Sequence, residues 1–162
     1  MTECLQMKVP GFQFAGVACG LKAKAHAKDL GLILSEVPAQ VVGMFTTNQV
    51  KAAPVVFCQR QIKRGHFRAL VVNSGNANAC TGSSGDHATQ VTAQCVASHL
   101  QVPISSVYVC STGKIGIALP LTKVKQGVAR AARVLSPHEL PTFSQAIMTT
   151  DRTGTAGYNA SG

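Results

Sequence analysis

A serine, a threonine and a glycine that follow a short apolar run are the residues of this sequence best suited to acyl-transfer chemistry. The run, residues 107–110, has the character of a strand, and Ser111, Thr112 and Gly113 come directly after it. A hydroxyl next to a glycine amide that no Cβ shields can donate two hydrogen bonds to one oxygen, which stabilises an oxyanion. Thr-Gly turns are common, so the pair alone is not specific evidence for an enzyme.

A second apolar run, residues 69–72, also ends in small polar residues. The stretch from Asn73 to Gly85 is rich in asparagine, serine and glycine, and it holds no large or charged side chain. Backbone of this composition turns sharply and hydrogen-bonds to itself. Two interpretations stay open: a tight turn kept small for packing, or a loop whose amides line a site.

Other nucleophile and phosphate motifs fail. Cys80 lies in the glycine-rich stretch, but no neighbour in sequence would lower its pKa, so a packed thiol is the simpler interpretation. Gly113 and Lys114 resemble part of a phosphate loop, yet Ile115 stands where a serine or threonine should follow. The scattered histidines, His87 among them, offer no general base.

Metal binding is not predicted either. The sequence has 6 cysteines, with no CxxC pair and no histidine at zinc spacing. Their apolar neighbours indicate small core residues in a reducing compartment rather than a disulfide framework. We therefore expect no cofactor and no metal.

The elements that must position these residues predict an α/β domain, with a mixed sheet and helices packed on it. Strands are predicted near residues 11–20, 30–35, 41–46, 69–73 and 106–110, with a turn at Pro38. Helices are predicted from Pro54 to near Gly65, at 86–100 capped by Asp86, at 120–135, and at 137–147 behind a capping box of Ser136 and Glu139. The two small-residue strand ends should meet, so Gly75 and Thr112 are predicted at the same end of the sheet.

Composition bounds the classes of partner. The 162 residues are 46% hydrophobic and 13% charged, which predicts a packed domain rather than disorder. The net charge of +9 raises nucleic acid as a partner, but the basic residues are scattered and no aromatic residues are interleaved with them. We therefore predict no nucleic-acid binding. No apolar run has the length of a signal peptide core or a membrane span, which predicts a cytoplasmic protein with no membrane contact.

Several separate stretches, in order, resemble one family. They are residues 45–48, 52–55, 72–82, 111–116 and 119–120. Together they closely resemble the ornithine acetyltransferase (glutamate N-acetyltransferase) family of arginine biosynthesis, over residues 11 to 151. In that family the precursor cuts itself before a threonine. This threonine, now the N-terminus of a second (β) chain, takes the acetyl group of N-acetylornithine and passes it to glutamate.

The resemblance implies that this chain is the first (α) part of such an enzyme. It implies that Thr112 and Gly113 form the oxyanion pair, that Thr149 contacts substrate, and that a complementary β chain completes an α/β hetero-oligomer. It leaves open whether acetyl-CoA also serves as an acetyl donor.

The end of the sequence departs from the family pattern. Residues 1–151 read as the acetyltransferase-like domain, whereas 152–162 are small, polar and divergent, and are expected to be disordered alone. Family members continue with a lysine and then a Lys-Gly stretch before the self-cleavage site. The nucleophile is therefore expected elsewhere, and the isolated chain is expected to be inactive. We also expect it to aggregate or self-associate through exposed apolar surface or a bare strand edge. The alternative is a non-catalytic remnant or interaction module with a basic surface, which the adjoining DNA would distinguish.

Overall fold

The computed structural model describes residues 8–149, which form one mixed sheet with helices on both faces. In chain order the elements are β1 (Phe12–Val17), β2 (Leu30–Gln40), α1 (Ala53–Gln61), β3 (His66–Asn76), α2 (Gly82–Leu100), β4 (Val107–Lys114), α3 (Leu121–Arg133) and α4 (Leu140–Ile147). Short 3-10 turns follow α1 at Ile62–Arg64 and precede β4 at Ile104–Ser106. The predicted α/β class with a mixed sheet is confirmed.

The sheet order is β1-β2-β3-β4, and its last pair brings two strand ends together. The β1–β2 and β2–β3 pairs are antiparallel, whereas β3 and β4 are parallel and are joined by the crossover helix α2. Parallel neighbours end at the same edge of a sheet. Ser74 pairs with Thr112 and Gly75 with Gly113, so the predicted meeting of the two small-residue strand ends is confirmed.

Two apolar layers hold the helices on the sheet. On one face, α2 and α3 bury a core that includes Leu32, Val71 and Val128. On the other, α4 packs Phe143 against Phe14 and Val72. Successive side chains of a strand point to opposite faces of the sheet, so each strand contributes to both layers. Val71 packs in the first layer and Val72 in the second.

The strand predicted at 41–46 is wrong, because β2 is longer than its apolar run. After an irregularity between Leu34 and Ala39, the second part of β2 pairs with the start of β3. Pro38 lies inside this irregular part, where its missing N–H costs no ladder hydrogen bond. Residues 41–46 have no strand to pair with in residues 8–149, and Met44 is fully exposed.

Three element ends also differ from the prediction. Helix α2 begins at Gly82 rather than Asp86, since its first turn is built from small residues. Strands β3 and β4 continue through their small polar residues to Asn76 and Lys114, because each supplies the other's backbone partners. The capping box predicted at Ser136 is absent: the Ser136 backbone bridges to Phe14, and α4 starts only at Leu140.

The remaining elements agree with their predicted positions. Helix α1 carries Pro54 in its first turn, and the following 3-10 turn ends at Gly65, whose φ of 70° is left-handed. Helix α3 lies within the predicted 120–135.

In the described part of the chain, no helix has the length and apolarity needed to cross a membrane. The predicted tail, residues 152–162, lies outside the described residues.

Candidate functional site

The ends of β3 and β4 approach each other more closely than side chains would allow. Gly113 has φ of +129°, and a Cβ built on it would lie 2.4 Å from the carbonyl carbon of Gly75. A contact under about 3 Å between a side chain and fixed backbone cannot be relieved by changing a rotamer. Glycine is therefore required at position 113 for the two strand ends to lie together.

Three buried asparagines hold the chain between β3 and α2. The Asn73 amide donates to the Asn76 carbonyl oxygen at 2.8 Å, and Asn76 Oδ1 accepts from the Asn78 amide at 2.8 Å. Asn78 Nδ2 in turn donates to the carbonyl oxygen of Gly85 in the first turn of α2. Buried amides that bond to backbone in this way are structural, so the packing interpretation applies to these asparagines.

A short segment after β1, residues 19–23, lies beside Gly75. A Cβ on Gly75 would lie 2.9 Å from the carbonyl oxygen of Leu21, so this second glycine also permits a close backbone contact. The segment is held by the carboxylate of Asp29, which accepts from the amides of Cys19 and Leu21 at 2.6 Å and of Lys22 at 3.1 Å. Asp29 is only 1% exposed.

The bonds to Asp29 determine its charge state. Burial acts to raise the pKa of Asp29, but the three backbone amides and the Cys19 thiol outweigh it, so the pKa is lowered. The carboxylate is therefore ionised at neutral pH. Burial, followed by the hydrogen bond to Asp29, raises the pKa of the Cys19 thiol to about 12, which rules out a Cys19 nucleophile.

These segments line an open cavity of about 540 Å³ at the strand ends. Its lining residues come from the 19–23 segment, from β3, from β4 and from the chain after α4: Leu21, Lys22, Ala23, Gly75, Gly113, Lys114 and Thr149. The cavity thus brings together Gly113 and Thr149, two of the three residues expected to act on substrate. Gly75, in the glycine-rich stretch, also lines this cavity.

Thr112, the third expected residue, is exposed and adjoins the cavity through Gly113. Residues paired across parallel strands lie on the same face of the sheet. The partner of Thr112 is Ser74, whose hydroxyl donates to the carbonyl oxygen of Ala146 in α4. The Thr112 side chain therefore lies on the α4 face, and Thr149 follows α4 on that side.

The lining charges of the cavity are positive. Lys22 and Lys114 line it, and none of the described residues that line it is acidic. The Nζ atom of Lys22 donates to the carbonyl oxygen of Lys28 at 2.8 Å. Burial lowers the pKa of Lys22, and the Asp29 charge opposes that shift. A negatively charged ligand is the kind that these two lysines favour.

The cysteines are less uniform than predicted. Cys19 and Cys58 are buried, but Cys80 and Cys110 are exposed, so the interpretation of all six as small core residues is wrong for those two. A hydrogen bond to Cys110 and burial raise the pKa of Cys58, and the same hydrogen bond lowers that of Cys110. Cys110 is exposed because α4 covers β1 to β3 and leaves that face of β4 open.

Neither the described histidines nor any group of metal-binding side chains in residues 8–149 belongs to the candidate site. His87 and His99 lie in α2 as predicted, and His99 Nδ1 is 2.9 Å from the carbonyl oxygen of Cys95. Across residues 8–149, no three His, Cys, Asp or Glu side chains are grouped in a way that could hold a metal ion. The residues that sequence reasoning missed are Asp29 and Lys22, which belong to no motif and become neighbours only through backbone folding.

A family profile and curated relatives identify the same family. The ArgJ family profile matches residues 13–158. The chain is 49% identical to the arginine biosynthesis bifunctional protein ArgJ of Thermotoga neapolitana, over 90% of this chain and 36% of that protein. It is 44% identical to the protein of the same name from Geobacter sulfurreducens, over 93% of this chain and 40% of that protein. The chain thus spans well under half the length of these relatives.

Solved structures share the fold. The ornithine acetyltransferase of Mycobacterium tuberculosis, solved in complex with ornithine, superposes with a TM-score of 0.86 at 42% identity, covering 92% of this chain and 80% of that one. The arginine biosynthesis bifunctional protein ArgJ of Bacillus halodurans gives 0.83 at 36% identity, covering 91% and 78%.

Proposed function

The chain belongs to the ArgJ family, and from this premise we propose that it is the α part of a glutamate N-acetyltransferase in arginine biosynthesis. Its substrates in this proposal are N-acetylornithine and glutamate. The chain contributes the oxyanion-stabilising residues, and a complementary β chain contributes the nucleophilic threonine. The single observation that carries the proposal is the cavity at the ends of β3 and β4, which Gly113 and Thr149 line together.

The proposed reaction places defined demands on Thr112 and Gly113. The threonine oxygen of the complementary chain attacks the acetyl carbonyl carbon of N-acetylornithine, and the carbonyl oxygen becomes an oxyanion. The Thr112 hydroxyl and the Gly113 amide donate hydrogen bonds to that oxygen. The carbon–nitrogen bond then breaks. The proton that the threonine hydroxyl gave up ends on the amine of the departing ornithine, and the acetyl group stays on the threonine as an ester.

The second half of the reaction reverses the same steps. The amine of glutamate attacks the ester carbonyl, the oxyanion forms again at the same position, and N-acetylglutamate leaves as the threonine hydroxyl is restored. Acetyl-CoA would enter at the first half as an alternative donor, and a direct assay with it decides that open point.

The close approach of Gly75 and Gly113 supports this proposal. A side chain on Gly113 would collide with β3, so only glycine lets the two strand ends approach at the wall of the cavity. Because Thr112 is exposed on β4, a chain that packs over this end of the sheet would bury its hydroxyl in the completed site. Burial strengthens the hydrogen bonds that stabilise the oxyanion.

Substitution of Thr112 tests the proposal. The chain is assembled with the complementing segment, meaning the part of the Thermotoga neapolitana relative that this chain does not span. We expect Thr112→Ala to lower kcat by about 100- to 1,000-fold, because one oxyanion donor is lost. KM should change little, because that hydrogen bond strengthens as charge develops on the oxygen.

The control is Thr122→Ala, an exposed threonine in the first turn of α3. It should keep the wild-type kcat. If Thr112 only shapes the end of β4, Thr112→Ala will lower the melting temperature and the folded fraction will turn over normally. An unaltered kcat per folded molecule would remove Thr112 from the mechanism.

A further inference from the structure

The cavity at the strand ends holds a lysine that is fixed in place from two sides. The amide of Lys22 donates to Asp29 Oδ2 at 3.1 Å, and its Nζ donates to the carbonyl oxygen of Lys28 at 2.8 Å. Lysine side chains on a surface usually sample many rotamers, and fixing one costs entropy. Here the fold holds both the backbone amide and the Nζ atom of Lys22 before a ligand binds. Preorganisation of this kind favours binding.

An ammonium group has three N–H donors and no acceptor. Among residues 8–149 the Lys28 carbonyl takes one of them, and the other two can bond to a ligand in the cavity that Lys22 lines. The second lysine, Lys114, lines the same cavity from the end of β4, next to Gly113. The nearest carboxylate in this network, Asp29, is buried behind the 19–23 segment and is occupied by backbone amides.

The two substrates of the proposed reaction share one anionic group. The acetyl group leaves the α-nitrogen of N-acetylornithine and arrives on the α-nitrogen of glutamate. Both nitrogens must reach the same carbonyl carbon, so the α-carboxylates of the two substrates must occupy the same place. Their side chains differ in charge, an ammonium in one and a carboxylate in the other. A positively charged subsite that serves both halves of the reaction must therefore recognise the α-carboxylate.

Building on the proposed function, we propose that Lys22, together with Lys114, forms the subsite for the α-carboxylate of both amino-acid substrates. Lys22 supplies hydrogen-bond donors from a fixed position, and Lys114, which lines the same cavity, adds charge. The ligand class is an α-amino-acid carboxylate. The phosphate groups of coenzyme A are the competing anion, and the test below separates the two.

The test compares N-acetylornithine with its α-carboxamide, which keeps the size and the acetyl group but removes the charge. In the assembled wild-type complex, we expect kcat/KM to be about 10- to 100-fold higher for the carboxylate, the range typical of a hydrogen bond to a charged group. In Lys22→Gln we expect this preference to fall several-fold, with Lys114 retaining the remainder. Lys22→Arg, which keeps the charge, should restore part of it.

Lys24→Gln is the matched control, because Lys24 is exposed directly after the 19–23 segment and is not among the described residues that line the cavity. It should keep the wild-type preference for the carboxylate. A full preference that survives in Lys22→Gln would overturn the subsite and leave the proposed function standing. Absence of acetyl transfer by the wild-type complex would instead overturn the proposed function, and the subsite is then judged by a readout that needs no turnover.

That readout is chemical labelling of lysines in the wild-type complex with deuterated acetic anhydride, followed by mass spectrometry. N-acetylornithine should protect Lys22 several-fold more than the α-carboxamide does, whereas Lys24 should label equally in both. Equal labelling of Lys22 with the two ligands would overturn the proposal. Protection of Lys22 by coenzyme A, with none by N-acetylornithine, would also overturn it and assign the subsite to phosphate.

Discussion

Asp29 is the only buried acid in residues 8–149. Its carboxylate accepts from the amides of Cys19, Leu21 and Lys22, and its side chain is 1% exposed. Hydrogen bonds to an ionised acceptor are roughly twice as strong as neutral ones. Because two of these amides belong to residues that line the cavity, Asp29 fixes one wall of the candidate site.

The loss of unfolding free energy caused by replacing this carboxylate should depend on pH. The folded pKa of Asp29 is below its unfolded value of about 3.9. Its stabilising effect is therefore fully present above about pH 4 and is lost as the pH falls through the lower, folded pKa. At pH 7 we expect Asp29→Asn to reduce the free energy of unfolding by about 2–3 kcal/mol, because the charged acceptor is lost.

Urea unfolding at pH 7, 5 and 3 measures this effect. The difference between wild type and Asp29→Asn should be the same at pH 7 and 5 and should begin to shrink at pH 3. Glu36→Gln, an exposed carboxylate, should differ little from wild type at any pH. A constant difference that persists well below pH 3 would show that the charge of Asp29 does not stabilise the fold.

The sequence predicted some residues of the candidate site and missed others. Thr112, Gly113 and Thr149 were predicted through the resemblance of their neighbourhoods to a family, and the cavity contains two of them. Asp29 and Lys22 could not be predicted, since their importance arises from backbone amides that carry no side-chain signal. Cys110 was misassigned to the core, because an apolar neighbour in sequence does not reveal that its face of β4 is left open.

At the level of elements, helix α4 lies unusually close to the sheet. A Cβ built on Gly16 of β1 would lie 1.9 Å from the carbonyl oxygen of Thr142 in α4. This carbonyl is backbone, so no rotamer change can relieve the contact. The glycine therefore sets how near α4 approaches β1, and with it the position of Thr149, which follows α4.

Gly16→Ala should lower the free energy of unfolding by about 1–3 kcal/mol, the usual range for overpacking. Thermal unfolding followed by circular dichroism measures the change. Gly43→Ala is the control, because Gly43 is exposed and its added Cβ would meet only flexible side chains, chiefly the tip of Ile62 at 2.9 Å. The control should stay within about 0.5 kcal/mol of wild type. A Gly16→Ala variant as stable as wild type would show that α4 is not held against β1 as described.

Elements with a clear hydrophobic period were predicted well. Helix α3 and strand β1 were predicted because their apolar residues recur at helical and strand spacing. The ends of β3 and β4 were not, because pairing with a parallel neighbour turns small polar residues into strand. The apolar residues of 41–46 predicted a strand that does not form, since strand formation also requires a free partner edge.

For the whole molecule, most of the exposed large apolar side chains among the described residues lie in two places: in residues 37–50, where Met44 is fully exposed, and just after β4. Ile115 and Ile117, just after β4, are 65% and 50% exposed, and Thr112 and Cys110 are exposed on the strand itself. The sheet edges are less bare than predicted: Ser136 bridges to β1, and the Cys58 thiol bonds to the Val109 backbone of β4. Self-association of the isolated chain stays a prediction, and the apolar residues after β4 are where we expect it.

Exposed apolar residues beside the candidate site are consistent with the proposal of a complementary chain, because this chain spans 36 to 40% of the length of its ArgJ relatives. The proposal assigns the nucleophile to the complementing segment and the oxyanion donors to this chain. Covalent acyl transfer requires both, because donors without a nucleophile stabilise an oxyanion that never forms.

The most direct measurement is acetyl transfer from isotopically labelled N-acetylornithine to glutamate, assayed with three samples: the chain alone, the complementing segment alone, and the two assembled. We expect transfer only in the assembled sample, with a labelled acetyl group found on the threonine that self-cleavage of the complementing segment exposes. Transfer by the chain alone, or a properly assembled complex that neither transfers nor becomes acetylated, would contradict the proposal that this chain is one part of a shared acetyltransferase site.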